Sequence, residues 1–329
     1  MIDHKLSIAP MMDHTDKHFR YLMRLLTKYS VLYTEMITTG ALIHGNYKQF
    51  LEYNSDEHPI GIQLGGNNPK ELLECAYMAE NEGYDEVNLN IGCPSDRVQN
   101  GKFGAYLMNE KELVAECVHN ISSHLQIPVT IKTRIGVDNN DTFDFLKEFI
   151  DTVSISGCKT FIIHARKAIL KGLSPKENRN IPPLNYQRVR KIKEKFPKLN
   201  IIINGGFTKI DQIKSELKFV DGVMIGRAAY HSPYFLAEVE KEIFINQNIL
   251  TRAEVMERMI PYIKEETKKG TRLNQIMRHT IGLFHGQKGS SDWKRYLSKN
   301  MCIREADIQK VNHIMDHIKN NSKNTALDR

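Results

Sequence analysis

Cys93 stands in the turn Gly92-Cys-Pro94, directly after the run Glu86-Val-Asn-Leu-Asn-Ile91. Val87, Leu89 and Ile91 alternate with Asn88 and Asn90, the period-two pattern of a buried strand. Gly92 permits an unusual backbone angle and Pro94 cannot continue a ladder, so the strand ends there. A thiol in a turn at the carboxyl end of a strand can act as nucleophile, metal ligand or proton donor. Other polar residues close strand-like runs in the same way. They are Gln63, Asn90, Lys132 with Arg134, His164 with Arg166, Asn204-Gly-Gly206 and Gly226-Arg227. Taken singly, each reads as well as a structural residue, His164 as a bonded rim side chain and Lys132 as half of an interior ion pair. Taken together, they describe a binding site. Bare N–H groups at Gly205, Gly206 and Gly226 can cradle a phosphate, and Arg227 adds a fixed positive charge. Lys132 and His164 can meet a ring or ribityl chain, and Gln63 offers a donor and an acceptor. A phosphorylated cofactor with a heteroaromatic ring fits this set, and flavin mononucleotide (FMN) fits it well.

Such residues converge only if their strands share one rim. Strand patterns recur at Leu6–Met11, Val31–Met36, Pro59–Leu64, Glu86–Ile91, Pro128–Arg134, Thr160–Arg166, Asn200–Asn204 and Asp221–Gly226, with helical patterns between them. The cap signal Thr15-Asp16 opens the first helix, Asn68-Pro-Lys-Glu71 begins another, and a further helix runs from about Thr142 to Gly157. Eight strand–helix units over about 240 residues predict a (β/α)8 TIM barrel, whose active sites lie at the carboxyl ends of the strands. A doubly wound sheet is disfavoured, because no Gly-x-Gly-x-x-Gly follows the first strand. Beyond Glu238 only helical spacing remains, including Trp293-x-x-Tyr-Leu297 and Ile308-x-x-Val-x-x-Ile-Met315. The expected organisation is a catalytic barrel over 1–240 and a small all-α domain over 241–329. Trp293 reads as core, since Tyr296 and Leu297 repeat with it at helical spacing.

The net charge of +7 is unevenly distributed. Residues 166–198 carry a balance of +9 and residues 264–304 one of +7, while the remainder is acidic at −9. Two basic zones on an acidic protein suit either solvated helix faces or a polyanionic partner. The five cysteines are scattered and form no C-x-x-C pair, so neither a disulfide framework nor a metal site is expected. Met1-Ile-Asp-His-Lys-Leu6 lacks a long apolar core and no run is long enough to span a bilayer. The expected setting is the cytoplasm, without membrane association.

The ordered motifs are similar to those of one family. Ala9-Pro-Met-Met-Asp13, Tyr33-Thr-Glu-Met-Ile-Thr-Thr-Gly40, Gln63-Leu-Gly-Gly66 and Asn88-Leu-Asn-Ile-Gly-Cys-Pro-Ser95 are followed by Lys132-Thr-Arg-Ile-Gly136 and His164-Ala-Arg-Lys167. Gly172-Leu-Ser-Pro-Lys-Glu-Asn-Arg179, Asn204-Gly-Gly206 and Gly226-Arg-Ala228 complete the series. The chain resembles the tRNA-dihydrouridine synthases, most closely subfamily A, over roughly residues 6 to 300. The resemblance implies reduction of uridine to 5,6-dihydrouridine in the D loop of tRNA, at positions 20 and 20a, with NADPH as reductant of bound FMN. It implies Cys93 as the acid that protonates C5, while hydride passes from FMN N5 to C6. It implies Gln63, Lys132, His164, Asn204, Gly205, Gly206, Gly226 and Arg227 as FMN contacts, with Pro10, Met11 and Met12 beneath the ring and Asn90 at the target base. Arg134, Arg166, Lys176, Arg179, Lys294 and Arg295 are then candidate tRNA contacts in the basic zones. The alternative is an FMN barrel oxidoreductase of a small molecule, of the dihydroorotate dehydrogenase kind, which predicts no basic helical domain. A tRNA-binding protein without chemistry predicts replacement of Cys93 or of the flavin ligands, and none is replaced.

Overall fold

The computed structural model describes residues 2–287 and 290–300. The helical pattern at Ile308–Met315, Cys302 and the polar tail from Lys319 lie outside the described residues. Eight parallel strands form the central sheet: β1 (Leu6–Ile8), β2 (Leu32–Thr38), β3 (Ile60–Gly65), β4 (Glu86–Ile91), β5 (Val129–Arg134), β6 (Thr160–His164), β7 (Asn200–Asn204) and β8 (Gly222–Ile225). Neighbours run in the order β1-β8-β7-β6-β5-β4-β3-β2. The ring closes between β1 and β2 through a parallel bridge at Ser7 and Val31, with Ile8 N–H donating to Val31 O at 2.9 Å. This is the expected (β/α)8 barrel.

Residue alternation sets which side chains enter it. Val87, Leu89 and Ile91 of β4 are buried, and the intervening Asn88 and Asn90 take part in a polar interior ladder. Ala9, Tyr33, Ile162, Ile202 and Met224 meet in one apolar core cluster, together with Val31. Strand register aligns the chemistry. Asn90 of β4 lies opposite Lys132 of β5, and Arg134, His164 and Asn204 are successive partners on β5, β6 and β7.

Helices follow the strands where the sequence predicts them. Asp16 accepts from His18 and Phe19 N–H at 3.0 and 2.9 Å at the head of Lys17–Leu26. Asn68 caps Pro69–Asn81 and Thr142 caps Phe143–Ile155. Such caps each contribute about 1 kcal/mol. The β2–β3 connection carries two short helices, Thr39–His44 and Tyr47–Leu51, where the sequence reading assigned no element. Helices of this length, interrupted at Gly45-Asn46, are too short to show a 3.6-residue period.

The chain divides into two compact units. One holds the segment up to Asp13 and Ser30–Gly226, which contains all eight strands. The other joins His14–Tyr29 to the chain from Arg227 onward. Within this second unit Asp16 pairs with Arg278 at 2.6 Å and with His279 at 3.0 Å, and Lys17 pairs with Glu266 at 2.8 Å. His18 is bonded to the Tyr262 hydroxyl at 2.7 Å and Thr27 to Glu240 at 2.6 Å. Among the described residues this unit also holds the helices Arg227–His231, Phe235–Phe244, Arg252–Lys268, Leu273–Met277 and Ser290–Asn300. Trp293 is core, as expected. It is 3% exposed, meets Phe284 edge-on and donates Nε1–H to Thr280 O at 3.0 Å.

Candidate active site

The turn after β4 is held from both sides. Asn90 Oδ1 accepts from the N–H groups of Gly92 at 3.1 Å and Cys93 at 2.9 Å, an Asx-type arrangement that fixes where the thiol points. Cys93 O accepts from Ala105 N–H at 2.9 Å. Gly104 allows this approach. Its φ is +64°, and a Cβ there would lie 2.6 Å from Cys93 O. The thiol is half-buried, 3.5 Å from Ser95 Oγ.

Three of the other cysteines differ sharply. Cys75, Cys117 and Cys158 are buried, and burial pushes each thiol up to about 12. They behave as small apolar residues.

Around Cys93 the rim collects most of the expected side chains. Asn90 Nδ2 donates to Gln63 Oε1 at 2.8 Å, so these two amides act as a unit. Lys132 Nζ donates to Asn204 Oδ1 at 3.4 Å, and Asn204 Nδ2 to Met224 O at 2.8 Å. Burial, aided by the Arg134 charge, pulls the Lys132 ammonium down to about 8 against the attraction of Cys93. Gly205 and Gly206 follow with φ of +121° and +78°. A Cβ on Gly205 would lie 2.7 Å from His164 Cδ2, and one on Gly206 2.7 Å from Leu184 Cδ1. The Tyr186 hydroxyl holds Gly205 O. This is a cradle of bare backbone beside an ammonium, an amide and an imidazole, a donor set suited to an anionic, hydrogen-bonding ligand. Gly226 is near Ala9 and Met11, whose Cβ and Sδ would stand 3.6 and 3.9 Å from an added Cβ. Met12 is 52% exposed, while Pro10 and Met11 are half-buried. Arg227 follows Gly226 in the chain and opens the helix Arg227–His231 of the second unit, with an exposed side chain. Among the described residues no group of three or more His, Cys, Asp or Glu could hold a metal ion. No helix among them is long and apolar enough to cross a membrane.

The arginines on the rim are not alike. Arg134 is 4% exposed and directs its guanidinium at three backbone carbonyls, Gly92 O at 2.8 Å and Lys167 O and Asn178 O at 3.1 Å each. It therefore ties the Cys93 turn to the loop after β6. Gln99 Nε2 makes a second tie, to Pro94 O at 2.8 Å and Leu170 O at 2.7 Å. Buried Asn178 organises that loop by donating to Ile169 O at 2.8 Å and accepting from Ile169 N–H at 2.8 Å. Gln99 lies in no motif of the sequence, and Asn178 stands in the Gly172–Arg179 motif with no sign of its bonding role, since loop amides follow no period. Arg166 is half-buried and donates to Pro182 O.

The basic zone at 166–198 also divides. Arg190 pairs with Glu216, Lys193 with Asp221 at 2.8 Å and Lys167 with Asp141 at 3.0 Å, while Arg188 donates to the carbonyls of Ile135 and Asp141. Lys171, Lys176 and Arg179 of the β6 loop are exposed. In the second unit Lys294 and Arg295 are exposed on Ser290–Asn300, and Arg295 pairs with Asp292 at 2.5 Å.

Residues 7–321 match the model of the family described as dihydrouridine synthase (Dus). The chain belongs to the dihydrouridine synthase family. Its curated relatives include a tRNA-dihydrouridine(20/20a) synthase of Shewanella oneidensis, 55% identical over 94% of this chain and 92% of the relative. Proteins of the same name from Vibrio cholerae and Escherichia coli K12 are 54% and 52% identical. They are covered to 96% and 90% of their length, over 95% and 94% of this chain.

Proposed function

We propose that this protein is a tRNA-dihydrouridine synthase that reduces uridine to 5,6-dihydrouridine at positions 20 and 20a of the D loop. The observation that carries the reading is the fixed, half-buried Cys93 thiol among the rim amides, in a chain of this family. The relatives' printed name supplies the substrate and the positions. The cofactor would be FMN, with its phosphate held by the N–H groups of Gly205, Gly206 and Gly226 and by Arg227, and its ring and ribityl chain by Gln63, Lys132, His164 and Asn204. Pro10, Met11 and Met12 would lie beneath the ring. Bound FMN would supply hydride to uracil C6, with NADPH as its reductant.

The protein's own part is to receive the base, hold it and deliver a proton. Hydride addition at C6 leaves negative charge on the uracil, which a nearby acid must quench at C5. Cys93 is that acid. Asn90 meets the base edge while its Oδ1 keeps the Cys93 turn in place. A uridine inside a folded tRNA must be drawn out of its stack to reach this site. Phosphate contacts from exposed Lys176 and Arg179, and from Lys294 and Arg295 of the helical unit, supply affinity. Arg134 and Arg166 support the β6 loop from behind.

The test is spectroscopic. Purified protein, reconstituted if needed, should show a flavin absorbance spectrum with one FMN per chain. Arg227→Ala should retain FMN less well, because a charge-assisted phosphate contact is lost. A wild-type protein that takes up no FMN contradicts the reading.

A further inference from the structure

A ladder of buried side chains runs through the barrel interior to the Cys93 turn. Its lower end is Glu86, fully buried at the start of β4. Three donors converge on that carboxylate. They are His4 Nε2 at 2.6 Å, the Tyr33 hydroxyl, and Thr130 Oγ1 at 3.0 Å. Glycine makes this possible. Tyr33, Gly61 and Glu86 are successive register partners on β2, β3 and β4, and a Cβ on Gly61 would lie 2.7 Å from the Tyr33 ring and 2.9 Å from Glu86 Cγ. From Thr130 the ladder climbs. Asn88 Nδ2 donates to Thr130 Oγ1, Gln63 Nε2 to Asn88 Oδ1, and Asn90 Nδ2 to Gln63 Oε1, each at 2.8 Å. Asn90 Oδ1 then accepts the N–H groups of Gly92 and Cys93.

Every link has a forced direction. Backbone N–H groups only donate, so Asn90 must face them with its oxygen and face Gln63 with its nitrogen. The same logic passes down through Gln63 and Asn88 and leaves the Thr130 proton for Glu86. A carboxylate that only accepts closes the series at the other end. The two ends agree, so no amide can flip without stranding a buried group.

We infer that Glu86 and Thr130 are positioning residues, which through Asn88 fix the orientation of the Gln63 and Asn90 amides and thereby the Cys93 turn. This rests on the reading above for the roles of Gln63, Asn90 and Cys93. Both are buried, Glu86 at the start of β4 and Thr130 near the start of β5.

Thr130 offers a discriminating pair of variants. Thr130→Val keeps the shape and removes the hydroxyl, whereas Thr130→Ser keeps the hydroxyl and removes a methyl group. A packing role makes Ser the worse variant, and a directional role makes Val the worse. Two readouts suffice: the rate at which iodoacetamide alkylates Cys93, followed on its own peptide by mass spectrometry, and the FMN dissociation constant from flavin fluorescence. Val should alkylate Cys93 faster and bind FMN more weakly, each by about fivefold, the factor carried by one net hydrogen bond. Ser should stay within about twofold of wild type on the same scale. Glu86→Gln, which replaces one acceptor by a donor, should behave as Val does and repeats the test if Val does not fold. Wild-type alkylation rates in both Val and Gln, or a larger effect in Ser than in Val, overturns the inference. The alkylation arm needs no FMN, so failure of the cofactor reading and failure of the ladder are told apart.

Discussion

Cys93 and the other three described cysteines are the same residue type in different surroundings. Burial pushes Cys75, Cys117 and Cys158 up to about 12, where they neither give nor take a proton at neutral pH. Cys93 is half-exposed on a turn held by Asn90 and Ala105. Cys93→Ala should therefore keep the fold and the flavin, since a small side chain leaves a half-open site. Its rate of dihydrouridine formation should fall by about a hundredfold to ten-thousandfold, the usual contribution of a positioned acid. A single-turnover assay with the reduced protein measures this, and a wild-type rate removes Cys93 from the proton-transfer role. Lys132 shows a second effect of placement. Burial lowers its ammonium to about 8, so the rim's central cation carries its charge at neutral pH and loses it in mildly alkaline solution.

Two ties join the turn after β4 to the loop after β6, Arg134 to Gly92, Lys167 and Asn178, and Gln99 to Pro94 and Leu170. Arg134 is more than a point charge here, because its fork reaches carbonyls on both loops. Arg134→Lys keeps the charge and loses the fork. It should open the loop around residues 167–179 to proteolysis and slow turnover by about tenfold, roughly the effect of one charge-assisted hydrogen bond. Limited trypsin digestion checks this, and a cleavage pattern equal to wild type argues against the tie. The strands and their polar ends were legible in the sequence, because period-two runs such as Glu86–Ile91 stop at Gly or Pro. The polar interior was legible in part, since Asn88 and Asn90 broke an apolar run, but their partners Thr130 and Glu86 depend on register. The roles of Gln99 and Asn178 were not legible, because a loop side chain that bonds to distant carbonyls leaves no periodic trace. Nor does any local pattern show that the Lys17–Leu26 helix groups with the C-terminal helices. That grouping rests on pairs such as Asp16 with Arg278, more than 250 residues apart.

At the scale of the whole molecule, the helical unit is built around buried histidines. Burial holds His18 down to about 4, and it also lowers His279. In the unfolded chain histidine titrates near about 6.5, so between these values the unfolded state binds the extra proton. Stability therefore falls as pH falls from about 6.5 to 4, by at most about 3 kcal/mol for His18. Asp16 acts in a separate, more acidic window. Its hydrogen bonds and the charge of its partners hold its carboxyl below the usual range, so its contribution is lost only at lower pH. His18→Gln should flatten the fall in melting temperature across pH 6.5 to 4, and an unchanged slope assigns the acid sensitivity elsewhere. Arg190 and Lys193 of the 166–198 zone are paired within the barrel unit, and Lys171, Lys176 and Arg179 are exposed on the loop after β6. This surface and the rim beneath it are the parts proposed to act on uridine in tRNA. The most direct test incubates an unmodified tRNA transcript with the purified protein, FMN and NADPH, and maps dihydrouridine by nucleoside mass spectrometry of nuclease fragments. Dihydrouridine is expected at positions 20 and 20a, and none when NADPH is withheld. FMN-loaded protein that oxidises NADPH yet leaves every uridine of the tRNA unreduced would contradict the proposal.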